Sequence, residues 1–225
     1  MRTGSRPGRL KERETGGRPR LTRGALVLVA AAVVIVAGVA GLLLIRASGS
    51  APPPEQRALG PADAPVQIVV YFDFQCPHCD SLHSGAEAQI VETYVKTNQA
   101  HLEVRPYAVM GPDSIRASEA ALCAADQGRF WEYRDALFSA YRQNGRTAYL
   151  EDGLVQTASA VGLDEGALRT CLAGHQRRAE VDEILSQGKA DGVQVVPTVL
   201  INGLKVEGAL PFESFATIIE RSLAK

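Results

Sequence analysis

Cys76 and Cys79 sit three positions apart in the run Phe72-Asp73-Phe74-Gln75-Cys76-Pro77-His78-Cys79. Two thiols at that spacing can close on each other and reopen, passing two electrons to and from another pair of thiols. Such exchange needs one sulfur to be comfortable as an anion, because the thiolate is both the nucleophile and the leaving group. His78, between the cysteines, can supply a hydrogen bond or a positive charge. Two other chemistries compete. One is a purely structural disulfide. The other is a metal site using Cys76, His78, Cys79 and His83, although a structural zinc site normally draws its four ligands from two such pairs. The chain has no second Cys-x-x-Cys and no His pair elsewhere.

The elements on either side favour exchange. Residues 66–74 are nearly all apolar and rich in β-branched and aromatic types, the pattern of a strand covered on both faces. After Cys79 the period changes, and Leu82, Ala86, Ile90 and Tyr94 recur at helical spacing. The cysteines therefore fall where a strand ends and a helix begins. Cys76 is expected near the helix N-terminus, where unpaired N–H groups and the dipole favour a thiolate. Cys79, one turn further in, is expected to be less exposed. Pro77 suits a first helical position because its missing N–H costs nothing there.

Charge is unevenly placed along the 225 residues, whose formal net charge is -1. Residues 1–23 carry eight basic and two acidic side chains, a net +6, and the remaining 16 basic and 23 acidic give −7. The basic tail precedes 22 uncharged residues, 24–45. At about 1.5 Å per residue these reach about 33 Å, enough for a hydrocarbon core of about 30 Å. The tail therefore reads as a topology signal on a single-pass membrane anchor rather than as a nucleic-acid contact. It places the N-terminus in the cytoplasm and everything after Arg46 outside. A cleavable signal peptide is the competing reading, with a shorter apolar core of about 7–15 residues. Residues 46–57, with three consecutive prolines, read as a linker.

The body, 58–225, is long enough for one domain with a core. After the first strand and helix, residues 101–109 alternate as a second strand, with Pro106 weakening its pairing. Residues 111–191 are helical throughout, in five segments, and Asp164 can cap the fourth. An aromatic stripe over 130–141 (Phe130, Tyr133, Phe138, Tyr141) reads as packing between helices, with a ligand site as the other reading. The last helix of the five is expected to end near Gly188 or Gly192. Residues 195–206 around Asn202-Gly203 form a hairpin signal, and Pro211 opens a final amphipathic helix. The order is βαβ, a helical insertion, then ββα.

Cys76-Pro77-His78-Cys79 on a strand-to-helix turn, Val196-Pro197-Thr198 ahead of a hairpin, and an all-helical stretch between them resemble the DsbA-type thiol:disulfide oxidoreductases of the thioredoxin superfamily. The resemblance covers residues 58–225. It implies an α/β thioredoxin-like fold with an inserted helical subdomain, here preceded by one transmembrane helix. It makes Cys76 the attacked, exposed sulfur and Cys79 the resolving one. It implies a cis Val196–Pro197 bond beside the disulfide, with Val196, Pro197 and Thr198 forming the substrate-binding loop. No cofactor is expected beyond the redox-active disulfide itself. The implied partners are reduced exported proteins of a bacterium and a quinone-linked membrane reoxidase of the DsbB or VKOR type. The family's buried carboxylate, six residues before the first cysteine, falls here on Val70. Asp73 is the nearest acid, readable as a proton shuttle or as a partly exposed structural residue.

Cys123 and Cys171 lie 48 positions apart on two different helices of the insert. Outside the cytoplasm they are expected to form a structural disulfide, the alternative being two buried free thiols. His83, His101 and His175 read as surface residues. The expected activity is disulfide donation to exported proteins. The alternatives are an isomerase or reductase built on the same fold and, from another class, a non-catalytic client- or metal-binding module.

Overall fold

The computed structural model describes residues 54–224. The basic tail, the apolar run 24–45 and most of the proline-rich linker lie outside the described residues. Among the described residues no helix is long and apolar enough to cross a membrane.

The body begins earlier than the composition suggests. Pro54–Arg57 forms a 3-10 turn, and the Arg57 guanidinium is buried. It donates to the Val104 carbonyl at 3.0 Å and pairs with Glu103 at 3.3 Å and Glu180 at 3.4 Å. A short strand β1 (Ala58–Leu59) follows, which the turn-rich sequence does not advertise. The central strand β2 (Val66–Phe72) leads into α1 (Pro77–Leu82). That helical path continues through a π-helical segment His83–Glu87, an α turn Ala88–Ile90 and a second π-helical segment Val91–Val95. Strand β3 (Ala100–Pro106) runs parallel to β2. It stops at Pro106, short of the sequence estimate, since proline brings no N–H to the ladder.

The insert consists of α2 (Pro112–Ala125), α3 (Phe130–Asn144), a 3-10 turn Gly145–Tyr149, α4 (Glu151–Ala160), α5 (Glu165–Ala173) and α6 (Arg178–Ala190). Asp164 caps α5 by accepting from the Ala167 N–H at 2.9 Å. Strands β4 (Thr198–Ile201) and β5 (Leu204–Glu207) and helix α7 (Phe212–Leu223) complete the chain. Positive φ at both Asn202 (47°) and Gly203 (82°) closes the β4–β5 hairpin, as a two-residue primed turn requires.

The five strands are ordered β1-β3-β2-β4-β5. Strand β2 is flanked by parallel β3 and antiparallel β4. Val66, Ile68, Val70, Leu102, Val104, Val199 and Ile201 are all buried there. Helix α7 packs against β2 and the middle of the long helical path, while α6 packs against β3. The insert is tied to the sheet by aromatic rings. Phe138 of α3 sits 5.7 Å from Phe72 and 5.1 Å from Phe74, and the Tyr149 hydroxyl donates to the Phe74 carbonyl at 2.9 Å. Most of the 130–141 stripe is thus interior packing.

Gly188 lies within α6 rather than at its end, and a Cβ there would come within 2.4 Å of the Tyr107 ring. The glycine admits a ring that is itself buried and packed edge-on against Tyr71. Alanine would gain about 1 kcal/mol in helix propensity. Overpacking against an immobile ring costs about 1–3 kcal/mol and should win. Gly188→Ala is therefore expected to lower the urea midpoint, and a raised midpoint would show that Tyr107 can yield.

Cys123 of α2 and Cys171 of α5 are joined by a disulfide, with Cα atoms 6.1 Å apart. The bridge closes a loop of 48 residues, which the chain-entropy treatment values at about 4 kcal/mol. Cys123→Ser is expected to reduce stability by about 2–4 kcal/mol in chemical denaturation while leaving the alkylation rate of Cys76 unchanged. Slower dithiol oxidation by a fully folded variant would contradict a purely structural bridge.

Candidate active site

Strand β2 delivers Cys76 to the point where α1 starts, and Cys76 is itself the residue that caps the helix. Its backbone is extended (φ −86°, ψ 115°), and its sulfur accepts from the Cys79 N–H at 3.4 Å. Pro77 occupies the first turn, where no intrahelical N–H is needed. Pro77 and His78 are exposed, whereas both sulfurs are recessed. Cys76 is 6% exposed and Cys79 1% exposed, and neither is bonded to the other. Cys76 is thus the more accessible of the two, but less open than the family resemblance implied.

The two thiols are tuned in opposite directions. Cys76 is lowered from 9.0 to about 6. The hydrogen bond from Cys79 contributes most. Burial opposes it, and the Cys79 and His78 backbone N–H groups and the charge of His78 add to it. Cys79 is pushed up, first by its burial and then by the hydrogen bond it makes to Cys76. At neutral pH one sulfur is the thiolate and the other the proton donor that stabilises it. The Asp73 N–H approaches the Cys79 sulfur at 3.4 Å.

Val196–Pro197 is a cis peptide bond, and the Val196 carbonyl oxygen lies 3.5 Å from the Cys76 sulfur, which donates to it only when protonated. Pairing of β4 with β2 starts at Thr198, so Val196 lies ahead of the ladder. Thr198 is fully buried and its hydroxyl donates to the Val195 carbonyl at 2.7 Å. It shapes the loop and does not present its side chain outward. The Pro197 carbonyl accepts from the Gly208 N–H at 2.8 Å, fixing the loop from behind.

Asp73 is 0% exposed, not a partly exposed acid. Its carboxylate accepts from the Gln75 N–H (2.8 Å) and Ser114 hydroxyl (2.6 Å) on one oxygen. The other oxygen accepts from the Val109 and Met110 N–H groups (2.8 and 2.9 Å). Four donors on one buried carboxylate fasten the cysteine turn to the end of β3 and the start of α2. Sequence alternation along β2 did not reveal this, because Asp73 lies just past the strand, where the period of two no longer holds.

His83 does not join the cysteines. Its ring stacks on Phe138 at 5.1 Å, and its Nδ1 lies 2.8 Å from Arg134. Arg134 is buried, pairs with Glu87 at 2.8 Å and lies over the Trp131 ring at 4.6 Å. Burial opposes ionisation of Glu87, but Arg134 and His83 outweigh it and lower its carboxyl. The imagined ligand set of Cys76, His78, Cys79 and His83 is therefore split, and among the described residues no group of three potential ligands is placed to hold a metal. His101 meets the Gly60 carbonyl at 3.1 Å and His175 meets Glu119 at 3.1 Å, both remote in the chain from the cysteine turn.

The thioredoxin family model matches residues 53–221. The chain belongs to the thioredoxin family. Its fold is the DsbA-type one. BdbD of Bacillus subtilis, in its oxidised form, superposes with a TM-score of 0.69 at 20% identity, over 78% of this chain and 97% of that one. Alpha-DsbA1 of Wolbachia pipientis does so at 0.68 and 19% identity, over 77% and 93%. Among curated proteins, the Na(+)/H(+) antiporter NhaA 3 of Salinispora tropica is 31% identical over 176 residues, 76% of this chain but 25% of the antiporter. The chain spans about a quarter of the length of the antiporters it matches. A probable disulfide bond formation protein D of Bacillus anthracis is 24% identical over 174 residues, 76% of this chain and 79% of that protein.

Two expectations follow from the geometry. Asp73→Asn puts an NH2 group where one oxygen accepts two hydrogen bonds, donor facing donors, and should cost at least about 2 kcal/mol in urea denaturation; a neutral result would mean that the four contacts are dispensable. The lowered Cys76 thiol also makes the dithiol form's stability depend on pH. The unfolded thiol titrates near 9.0 and the folded one near 6. The stabilisation is thus complete above 9.0 and is lost as pH falls to the folded value. Relative to the disulfide form, the dithiol form should lose stability between pH 8 and pH 5, and a constant difference would exclude a stabilised thiolate.

Proposed function

We propose that this protein is an extracytoplasmic thiol oxidase that donates the Cys76–Cys79 disulfide to exported proteins. The observation that carries this reading is the division of labour between the two sulfurs, an anionic Cys76 capping α1 and a buried, protonated Cys79 beneath it.

In the disulfide form, a client thiolate attacks the Cys76 sulfur. The Cys76–Cys79 bond breaks, and Cys79 leaves with the electron pair and takes up a proton. The client's second thiolate then attacks the client sulfur of the mixed disulfide. Cys76 leaves, stable as a thiolate. The client has lost two electrons and two protons and the protein holds both cysteines reduced. Every 1.4 kcal/mol of stabilisation of the reduced pair raises its potential by about 30 mV. Val196, ahead of the β4 ladder, offers backbone to an extended client segment in the manner of strand addition.

The surface around Cys76 suits unfolded clients. Val109, Met110 and Val195 are exposed apolar side chains. The Met110 carbonyl accepts from the Gln75 side chain at 3.3 Å, next to Cys76 in the chain, and Val195 adjoins the Val196 carbonyl that faces the thiol. The solved BdbD and DsbA structures and the Bacillus disulfide bond formation proteins support the same reading. The uncharged run 24–45 after a tail of net +6 supports a single-pass anchor with the body outside the cytoplasm. A quinone-linked membrane protein of the DsbB or VKOR type would return the dithiol to the disulfide.

The midpoint potential of the Cys76–Cys79 couple, set against a glutathione redox buffer, separates oxidase from reductase. The expected value lies well above the roughly −270 mV of thioredoxin. A value at or below it would reassign the protein as a reductase. In parallel, Cys79→Ser, with Cys76 first activated as its mixed disulfide with thionitrobenzoate, should exchange thionitrobenzoate for a client that carries one thiol and accumulate as the Cys76–client mixed disulfide, since neither Cys79 nor a second client thiol is left to displace it. A binding module would retain its client equally well without Cys76.

A further inference from the structure

A hollow of about 190 Å³ opens beside Cys76, between α1 and α3, and is lined by Phe74, Cys76, Pro77, Asp80, Phe138, Tyr141 and Arg142. Resting on the oxidase reading, we propose that it is a subsite for one apolar side chain of the client, that of the residue adjacent to the client's reacting cysteine.

Its size fits one side chain. Small-molecule pockets run to about 300–1,000 Å³, so this hollow is too small for a cofactor. Three of its walls are aromatic, and they are held in place before any client arrives. Phe74 and Phe138 pack at 5.1 Å, Tyr141 stacks on Tyr149 at 4.9 Å, and the Tyr149 hydroxyl is bonded to the Phe74 carbonyl. The two charged residues at the hollow, Asp80 and Arg142, are paired with each other. An incoming carboxylate or ammonium would have to break that pair, whereas an aliphatic or aromatic group would not.

The tether decides the occupant. Cys76 is both the attacked sulfur and a wall of the hollow, so a client bonded to it has its neighbouring residue about 3.8 Å along the chain from the joined cysteine. Val196 is not among the walls, so backbone pairing at Val196 and side-chain capture in the hollow use different surfaces around one sulfur. The insert thereby enters the chemistry. Phe138 and Tyr141 belong to the stripe that otherwise reads as packing, and here they select the client.

The test uses the full chain, in detergent and in its disulfide form. Its substrates are dithiol peptides identical except for Gly, Asp, Leu or Phe placed on either side of the reacting cysteine in turn. Second-order oxidation rates for Leu and Phe are expected to exceed those for Gly and Asp by about tenfold on one side, equivalent to about 1.4 kcal/mol. Tyr141→Ala, which removes a wall, should shrink that ratio below about threefold, and Tyr141→Phe should keep it. Tyr141→Trp, which narrows the mouth from the same wall, should lower the Phe rate below the Leu rate. Equal rates for all four residues on both sides would overturn the subsite and leave the oxidase intact. A preference untouched by both Tyr141→Ala and Tyr141→Trp would overturn its placement. Failure to oxidise any peptide would overturn the oxidase reading and the subsite with it.

Discussion

A helix that begins on a sulfur atom is the constraint behind this site. The first N–H groups of any helix need acceptors from outside it, and a thiolate is an acceptor that carries a full charge. At Cys76 the N–H of Cys79 points at that sulfur, and the Cys79 thiol adds a second hydrogen bond to the same atom. The fold and the redox chemistry therefore draw on one interaction. What satisfies the start of α1 also makes Cys76 a good leaving group.

Such a cap is useful only if it is held in register, and three pieces of the chain hold it. The Asp73 carboxylate ties the approach to the turn to the ends of β3 and α2. Rings from the insert clasp Phe74, two residues before the cysteine. The cis Val196–Pro197 loop lies across the sulfur and is fixed by Thr198 and Gly208. The insert is thus more than a lid added to a sheet. It supports the backbone that presents Cys76, and its own helices are bridged through Cys123 and Cys171.

The parts of this architecture that were legible in the chain were those governed by local patterns. The switch from a two-residue to a helical period located Cys76 at the start of α1, Asn202-Gly203 located the hairpin, and Asp164 located the cap of α5. What eluded sequence reading depended on contacts between distant residues. Asp73 read as a proton shuttle or a partly exposed structural acid because three of its four donors come from residues 36 or more positions away. His83 looked like a surface residue because the Phe138 ring and Arg134 that engage it lie on another helix. Of the two glycines that could end α6, Gly192 does follow its end, with φ 68°, whereas Gly188 lies inside it, because the ring that requires Gly188 belongs to a strand connection some 80 residues earlier. Strand β1 is two residues long, too short for any period to show, and Arg57 is buried only because Glu103 and Glu180 converge on it.

The account stands on the charge state of a single sulfur. Thiolate absorbance of the reduced protein, followed across pH with Cys79 confirmed inert to alkylation, reports that state directly. A transition near pH 6 is the predicted result. A transition near 9, the range of an ordinary cysteine, would mean that the helix start does not stabilise Cys76 and that its disulfide has no special tendency to leave.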